Sequence, residues 1–269
     1  MISEEPLDAV LYRPLARGVA AVALPLGMTA NHVTLLASIV GIFAGVAAGF
    51  GARPWPWIAA GALAAFMVLD CADGEVARRR GGGSRLGQVL DGISDYLVSI
   101  SAHVGFLVLA WNTPAFAEVP RWALFAVVLA SGISKAVHSA LFDAAKTKFR
   151  RGMGKSSQGL ESEQSLREEL ARAVSWRDKL ILRLYIPYTA AQRRATAADE
   201  APPSQAEFLG WTMLGPTLRL TAIMIPVALY PIEPRALLAY PAFGLVAANA
   251  WLAVMMVWRR SATLRPATP

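Results

Sequence analysis

Apolar residues fall into six blocks, approximately 31–50, 55–78, 87–111, 119–145, 208–230 and 235–258. Each is long enough to cross roughly 30 Å of hydrocarbon as a helix. The second and third reach that length only if their ends carry charges. Ionisable groups inside a membrane are costly, so those ends point to function. Ahead of the first block, residues 7–26 alternate apolar positions with Arg13 and Arg17, which predicts an amphipathic helix lying in the membrane interface; an ordinary lead-in fits the pattern equally well. Between the fourth and fifth blocks, residues 146–207 are polar. There Ser165 and Glu168 stand at capping-box spacing ahead of Leu166, Leu170, Val174, Leu180 and Leu184, so the stretch reads as a helical excursion attached to the surface. A linker follows around Pro202 and Pro203.

The predicted fold is an all-α integral membrane protein: six transmembrane helices, an N-terminal interfacial amphipathic helix and a cytoplasmic helical insertion. The predicted organisation is 1–30 interfacial, 31–145 spans one to four, 146–207 insertion, 208–258 spans five and six, and 259–269 tail.

Composition agrees. Of 269 residues, 55% are hydrophobic, and the mean hydropathy is +0.42. The net charge of +7 suits anionic headgroups and cytoplasmic loops, with no basic, aromatic-interleaved patch to suggest nucleic acid. The loops near 51–54, 112–118 and 231–235 hold only Arg53 and Arg235. The alternate side carries Arg78, Arg79, Arg80 and Arg85, then Lys146, Lys148, Arg150, Arg151 and Lys155, then Arg259, Arg260 and Arg265. Both termini are therefore expected in the cytoplasm. Glu4, Glu5 and Asp8 stand where a cleaved signal peptide would be basic, so none is expected. The single cysteine, Cys71, excludes an internal disulfide and reads as a small buried hydrophobe.

The chemistry concentrates in LDCADGEVARRRGGGSRLGQVLDGISDYL, residues 69–97. Asp70 and Asp73 are three apart, and Asp91 and Asp95 four apart, so each pair projects from one face of its helix. The Gly81–Gly82–Gly83 turn lets the two helices run antiparallel and the pairs converge near the cytoplasmic boundary. Four carboxylates at the edge of a low-dielectric slab repel one another unless cations compensate. Oxygen-only ligands favour Mg2+ or Mn2+ over zinc, and two ions could grip a diphosphate and orient an attacking hydroxyl. Gly74, Ala77 and Gly87 leave room for a nucleotide, or serve helix packing; Arg78 supplies a permanent charge for phosphate. Lys135 in the fourth span and Arg219 in the fifth are candidates for an acceptor pocket, against an alternative of snorkelling or internal pairing. His103 and His138 read as structural, and Trp55, Trp57, Trp111, Trp211 and Trp258 as an interfacial belt.

Asp70, Asp73, Gly74, Ala77, Arg78, Gly87, Asp91 and Asp95 fill all eight fixed positions of D-x2-D-G-x2-A-R-x8-G-x3-D-x3-D, so the segment resembles the CDP-alcohol phosphatidyltransferases. The resemblance implies that Asp70, Asp73 and Asp91 are metal ligands, and that Asp95 ligates metal and acts as general base. It also implies that Gly74, Ala77, Arg78 and Gly87 line the CDP site. Asn31 and Thr34 resemble the family's PNxxT sequence at the start of the first span, with Ala30 in place of the proline. The partners implied are a CDP-linked lipid or alcohol donor, a hydroxyl acceptor, the bilayer and a second copy of the chain in a homodimer. Either a phosphatidyl group passes from CDP-diacylglycerol to a polar alcohol, or a phosphoalcohol passes from a CDP-alcohol to a lipid hydroxyl. The first is favoured because the family includes many bacterial-sized members of that kind. A divalent-cation transporter would also use the carboxylates, but leaves the glycine, alanine and arginine positions unexplained; a scaffold explains none of them.

Overall fold

Thr29 opens the first long helix: its side chain accepts the His32 N–H while the His32 ring accepts the Thr29 N–H, satisfying two amides that helix geometry leaves unpaired. The computed structural model describes residues 4–83, 85–154, 163–196 and 202–263, and these residues contain no strand. A π-helical turn Asp8–Tyr12 leads into α1, Arg13–Ala23. Then come α2 (Ala30–Phe50), α3 (Trp55–Arg79), α4 (Arg85–Trp111) and α5 (Arg121–Gly152). Among the described residues, six stretches are long and apolar enough to cross a membrane: these four, Gln205–Leu229 and Pro234–Arg260.

The helix expected near the N-terminus is present as α1. Its buried face is Ala16, Ala20 and Ala23, packed on Val33 of α2 and on Ala72 and Val76 of α3, while Leu15, Val22 and Leu26 beside it stay exposed. Small residues also set the α2–α4 crossing. Side chains built on Gly45 or Gly105 would run into the facing backbone, Ser101 for the first and the Gly45 carbonyl for the second. Gly41, Gly45 and Gly49, spaced by four, make this the small-residue seam that lets membrane helices approach closely.

Four expectations shift. The fourth span, α5, continues past residue 145 to Gly152, because Phe142, Ala145 and Phe149 keep its buried stripe going. At about 1.5 Å per residue, its 32 residues span about 48 Å, well beyond the hydrocarbon thickness. In the insertion, α6 (Glu163–Arg172) starts ahead of Ser165, so Ser165 is not its cap. A break before α7 (Trp176–Thr196) then resets the helical phase: Leu182 and Tyr185 are buried, whereas Val174 and Leu180 are exposed. With Leu166 these side chains pack on Val89 of α4, and the Tyr185 hydroxyl donates to Gln88 at 3.0 Å. Lys155 and Arg265 lie outside the described residues, as do the side chains of Arg85 and Leu184. Trp211, expected in the interfacial belt, is buried and donates to Glu207.

The fifth span is broken. α8 (Gln205–Thr212) stops, Gly215 caps a new start, and Pro216 opens α9, Pro216–Leu229. The N–H groups freed at that start are met from the far end of the sequence: Glu5, 3% exposed, accepts from Thr217 at 3.2 Å and Leu218 at 3.1 Å, and Asp8 accepts the Thr217 hydroxyl at 2.8 Å. Burial, then the neighbouring Asp8, push Glu5 from its ordinary 4.5 up to about 7 against the pull of its two N–H bonds. A carboxyl group raised in the folded state stabilises docking fully below its unfolded pKa, and that contribution is lost as pH rises through about 7. Hydrogen exchange of residues 5–12, corrected for intrinsic rates, should therefore lose protection between about pH 5 and about pH 8, and Glu5→Gln should flatten the dependence.

The sixth span begins as a 3-10 turn, Pro234–Leu238, and passes through α10 (Ala239–Pro241) and a π-helical turn, Ala242–Ala247, into α11, Ala248–Thr263.

Candidate active site

On α3 the residues Asp70, Asp73, Gly74 and Ala77 follow one stripe, and on α4 Gly87, Asp91 and Asp95 step by fours. The glycine turn joins the two stripes at one end. Gly81 and Gly82 have φ of 94° and 133°, which side chains disfavour, and the Gly82 N–H closes the end of α3 on the Ala77 carbonyl at 2.9 Å.

One carboxylate oxygen from each of Asp70, Asp73 and Asp91 lies within 4.8 Å of the other two. Asp95 is outside this trio. It stands one turn deeper along α4, within electrostatic reach of Asp70, Asp91 and Lys135. Oxygens around one octahedral ion with bonds of about 2.1 Å stand about 3.0 or 4.2 Å apart, so small side-chain adjustments bring the trio into a hard cation's coordination shell. Asp73 is buried, Asp70 half-buried, and Asp91 and Asp95 exposed, so the cluster opens along α4.

Thr34 reaches the acid cluster directly. Its hydroxyl is 2.6 Å from Asp73 Oδ2 and 3.1 Å from the Ala30 carbonyl, and its single proton goes to the nearer, charged acceptor. One turn on, Ser38 donates to Ser94 at 2.7 Å, tying α2 to the helix that carries Asp91 and Asp95. Asn31 is half-buried in the first turn of α2. Arg78 lies back along α3, its Nη2 2.8 Å from Glu75, which also holds Arg79 at 2.8 Å. The missing side chain of Gly74 makes room for this: a Cβ there would sit 3.3 Å from Arg78 Nη1.

The two basic candidates part company. Lys135, 7% exposed, lies within electrostatic reach of Asp95 and Asp143. Arg219 is fully enclosed, donating from Nη1 to the Gly244 carbonyl and from Nη2 to the Ser131 carbonyl, both at 3.2 Å, with its guanidinium over Phe243. It ties α5, α9 and the start of the sixth span together. His103 is satisfied between the Ser99 carbonyl at 2.6 Å and the Tyr240 hydroxyl at 2.7 Å.

Two residues on α5 join the site that the sequence did not assign to it: Asp143, and Lys146, which reads along the chain only as a loop charge. Asp143 and Lys146 both act electrostatically on Asp91 and Asp95, and Lys146 rests over the Phe142 ring. Lys135, Asp143 and Lys146 share one face of α5, and this charged stripe at helical spacing inside an apolar segment was the signal available.

Residues 27–157 match the model of the CDP-alcohol phosphatidyltransferase family. They are a domain of that family of transferases. The domain holds every acid of the cluster as well as Lys135, Asp143 and Lys146, but not Arg219. Among curated proteins, the phosphatidylinositol phosphate synthases of Mycobacterium tuberculosis and Mycobacterium bovis are each 38% identical over 101 residues, 37% of this chain and 43% of theirs. That of Mycobacterium marinum is 38% identical over the same length, 40% of its own. The match thus spans less than half of these relatives. A crystal structure of Mycobacterium tuberculosis phosphatidylinositol phosphate synthase with CDP-DAG bound aligns at a TM-score of 0.44 and 18% identity, covering 93% of this chain and 92% of that one.

Proposed function

We propose that the chain is a multi-pass membrane enzyme that transfers a phosphatidyl group from CDP-diacylglycerol to the hydroxyl of a polar alcohol and releases CMP. The observation that carries the reading is the convergence of Asp70, Asp73 and Asp91 within a transferase domain whose eight signature positions are all filled. Bound divalent cations, Mg2+ or Mn2+ and by the carboxylate count two of them, would neutralise the diphosphate and stabilise the departing CMP. Asp70, Asp73 and Asp91 would hold them, with Asp95 as a further ligand. Asp95 takes the proton as the acceptor oxygen bonds to the lipid-bearing phosphorus and the bond to CMP breaks. Arg78 exchanges Glu75 for a donor phosphate over the open backbone of Gly74, with Ala77, Gly87, Asn31 and Thr34 lining the nucleotide.

Lys135 and Lys146 face Asp95 and favour an acceptor that itself bears phosphate, in keeping with the names of the relatives. Arg219 acts through the helices it ties together. The excess of basic residues at the site's end of the spans supports a cytoplasmic active site and cytoplasmic termini, with α1 lying in the interface. The family resemblance carries the expectation of a homodimer.

Purified protein given CDP-diacylglycerol, Mg2+ or Mn2+ and a panel of glycerol phosphate, serine and inositol phosphate should release CMP and form one new lipid, identified by mass. Failure with every CDP-linked donor, together with cation flux into liposomes, would replace this reading with transport. Thr34→Val keeps the side chain's size but removes the proton donated to Asp73. Metal affinity should fall about ten- to a hundredfold, measured by Mn2+ titration.

A further inference from the structure

The helix that carries Asp91 and Asp95 enters the site from exposed glycines. A Cβ on Gly81, Gly82 or Gly83 would meet nothing within 4 Å, so these residues give α4 no packed starting point. From Gly87 to Ile93, Val89 is the one buried residue, and it clusters with Leu166 of α6 and with Leu182 and Tyr185 of α7. Beside it Tyr185, 2% exposed, donates its hydroxyl proton to the half-buried Gln88 at 3.0 Å. At 3.6 residues per turn, Gln88 points about 20° from Asp95 and about 60° from Asp91 around α4, and lies about 4.5 Å along the axis from Asp91. The bond therefore grips the flank of the acid stripe, next to Gly87. α7 also lies against α5, which carries Asp143 and Lys146. Both α6 and α7 stand outside residues 27–157, the part of the chain that matches the family model.

We infer that the insertion is part of the catalytic unit, and that Tyr185, acting through Gln88, is a positioning residue that holds Gly87 and Asp91 in register for the CDP-linked donor and its divalent cation. The inference rests on the function proposed above for those two residues. Its physical basis is the pair of anchors. Gln88 and Val89 are consecutive and point about 100° apart, so a hydrogen bond on one and packing on the other restrain this turn of α4 against both rotation and sliding. A ligand constellation works only within about 0.5 Å and about 10–20° of its productive geometry, a margin that a loose first turn would exceed. The insertion thus does for Asp91 from outside the membrane-spanning helices what Thr34 does for Asp73 from α2.

Tyr185→Phe in the full-length protein removes the donated proton and keeps the ring. The KM for CDP-diacylglycerol should rise about fivefold, and Mn2+ affinity, titrated without donor, should fall by a similar factor, the scale of one neutral hydrogen bond. At saturating donor and metal, kcat should stay close to that of the wild type, as should the thermal midpoint. Gln88→Leu should act in the same way, and the double variant should do no more than either alone, because all three lose one and the same bond. Gln88→Leu carries the test by itself if Tyr185→Phe gives no monodisperse protein. A lower thermal midpoint with KM and Mn2+ affinity unchanged marks a merely structural clasp and overturns the inference, as do additive effects of the two substitutions. A wild type that releases no CMP from any CDP-linked donor fails the proposed reaction instead. The Mn2+ titration then decides the inference, and unchanged affinity in the folded variants overturns it.

Discussion

Asp91→Asn should sharply weaken metal binding and abolish CMP release together, whereas Asp95→Asn should abolish CMP release while leaving the metal site of the trio in place. The distinction comes from geometry. Asp70, Asp73 and Asp91 already gather their oxygens, so removing one charge from the trio leaves two carboxylates and weakens the hold on a hard cation. Asp95 lies outside that group, beside Lys135. Its neutral amide could still accept a hydrogen bond but could not take the acceptor's proton. Turnover in each variant should fall by at least about a thousandfold, the scale on which loss of a principal charge-stabilising or proton-transferring group acts. Mn2+ titration of the folded variants separates the two cases. If Asp95→Asn loses the ion as completely as Asp91→Asn, Asp95 is a ligand of the primary site and its lost turnover is explained by the metal rather than by a base.

Gly105→Val should cost the protein its native packing. The added carbons would enter the space of the Gly45 carbonyl, which is backbone and cannot rotate away, so α4 must move off α2. We expect a loss of about 3 kcal/mol or more, and a thermal midpoint lower by roughly 10 °C in detergent where monodisperse protein is recovered. The damage reaches the chemistry, because the α2–α4 contact also carries the Ser38–Ser94 bond on the helix of Asp91 and Asp95, while α2 holds Asp73 of α3 through Thr34. Gly61→Val is the control: a side chain there meets nothing within 4 Å. Equal stability of the two variants would show that the seam does not set the helix spacing.

Much of this was legible along the chain. Block length gave six spans, since a helix crossing hydrocarbon needs about twenty apolar residues and little else does. Asp70, Asp73, Asp91 and Asp95 were legible because three- and four-residue spacing fixes a helical face without reference to the rest of the fold. The ends of α5 and the phase of α6 and α7 were less so. A polar run such as residues 146–152 looks the same whether it continues a helix or leaves it, and tertiary burial of Phe149 decided the matter. The short break after α6 likewise moved the buried stripe from Leu180 to Leu182 and Tyr185.

Local spacing and hydropathy by themselves determined the class of protein, the number of its spans and the acids that meet at one end of them, because these properties repeat within a helical turn or a membrane's thickness. Only the tertiary structure decided that three of the four acids form a tight group, that Thr34 serves Asp73, that Arg219 is enclosed among carbonyls, and that Glu5 caps a helix beginning more than 200 residues away. Those are relations between segments far apart in sequence. Each is settled by how closely helices pack and by the need of every buried polar group for a partner, which no local pattern encodes.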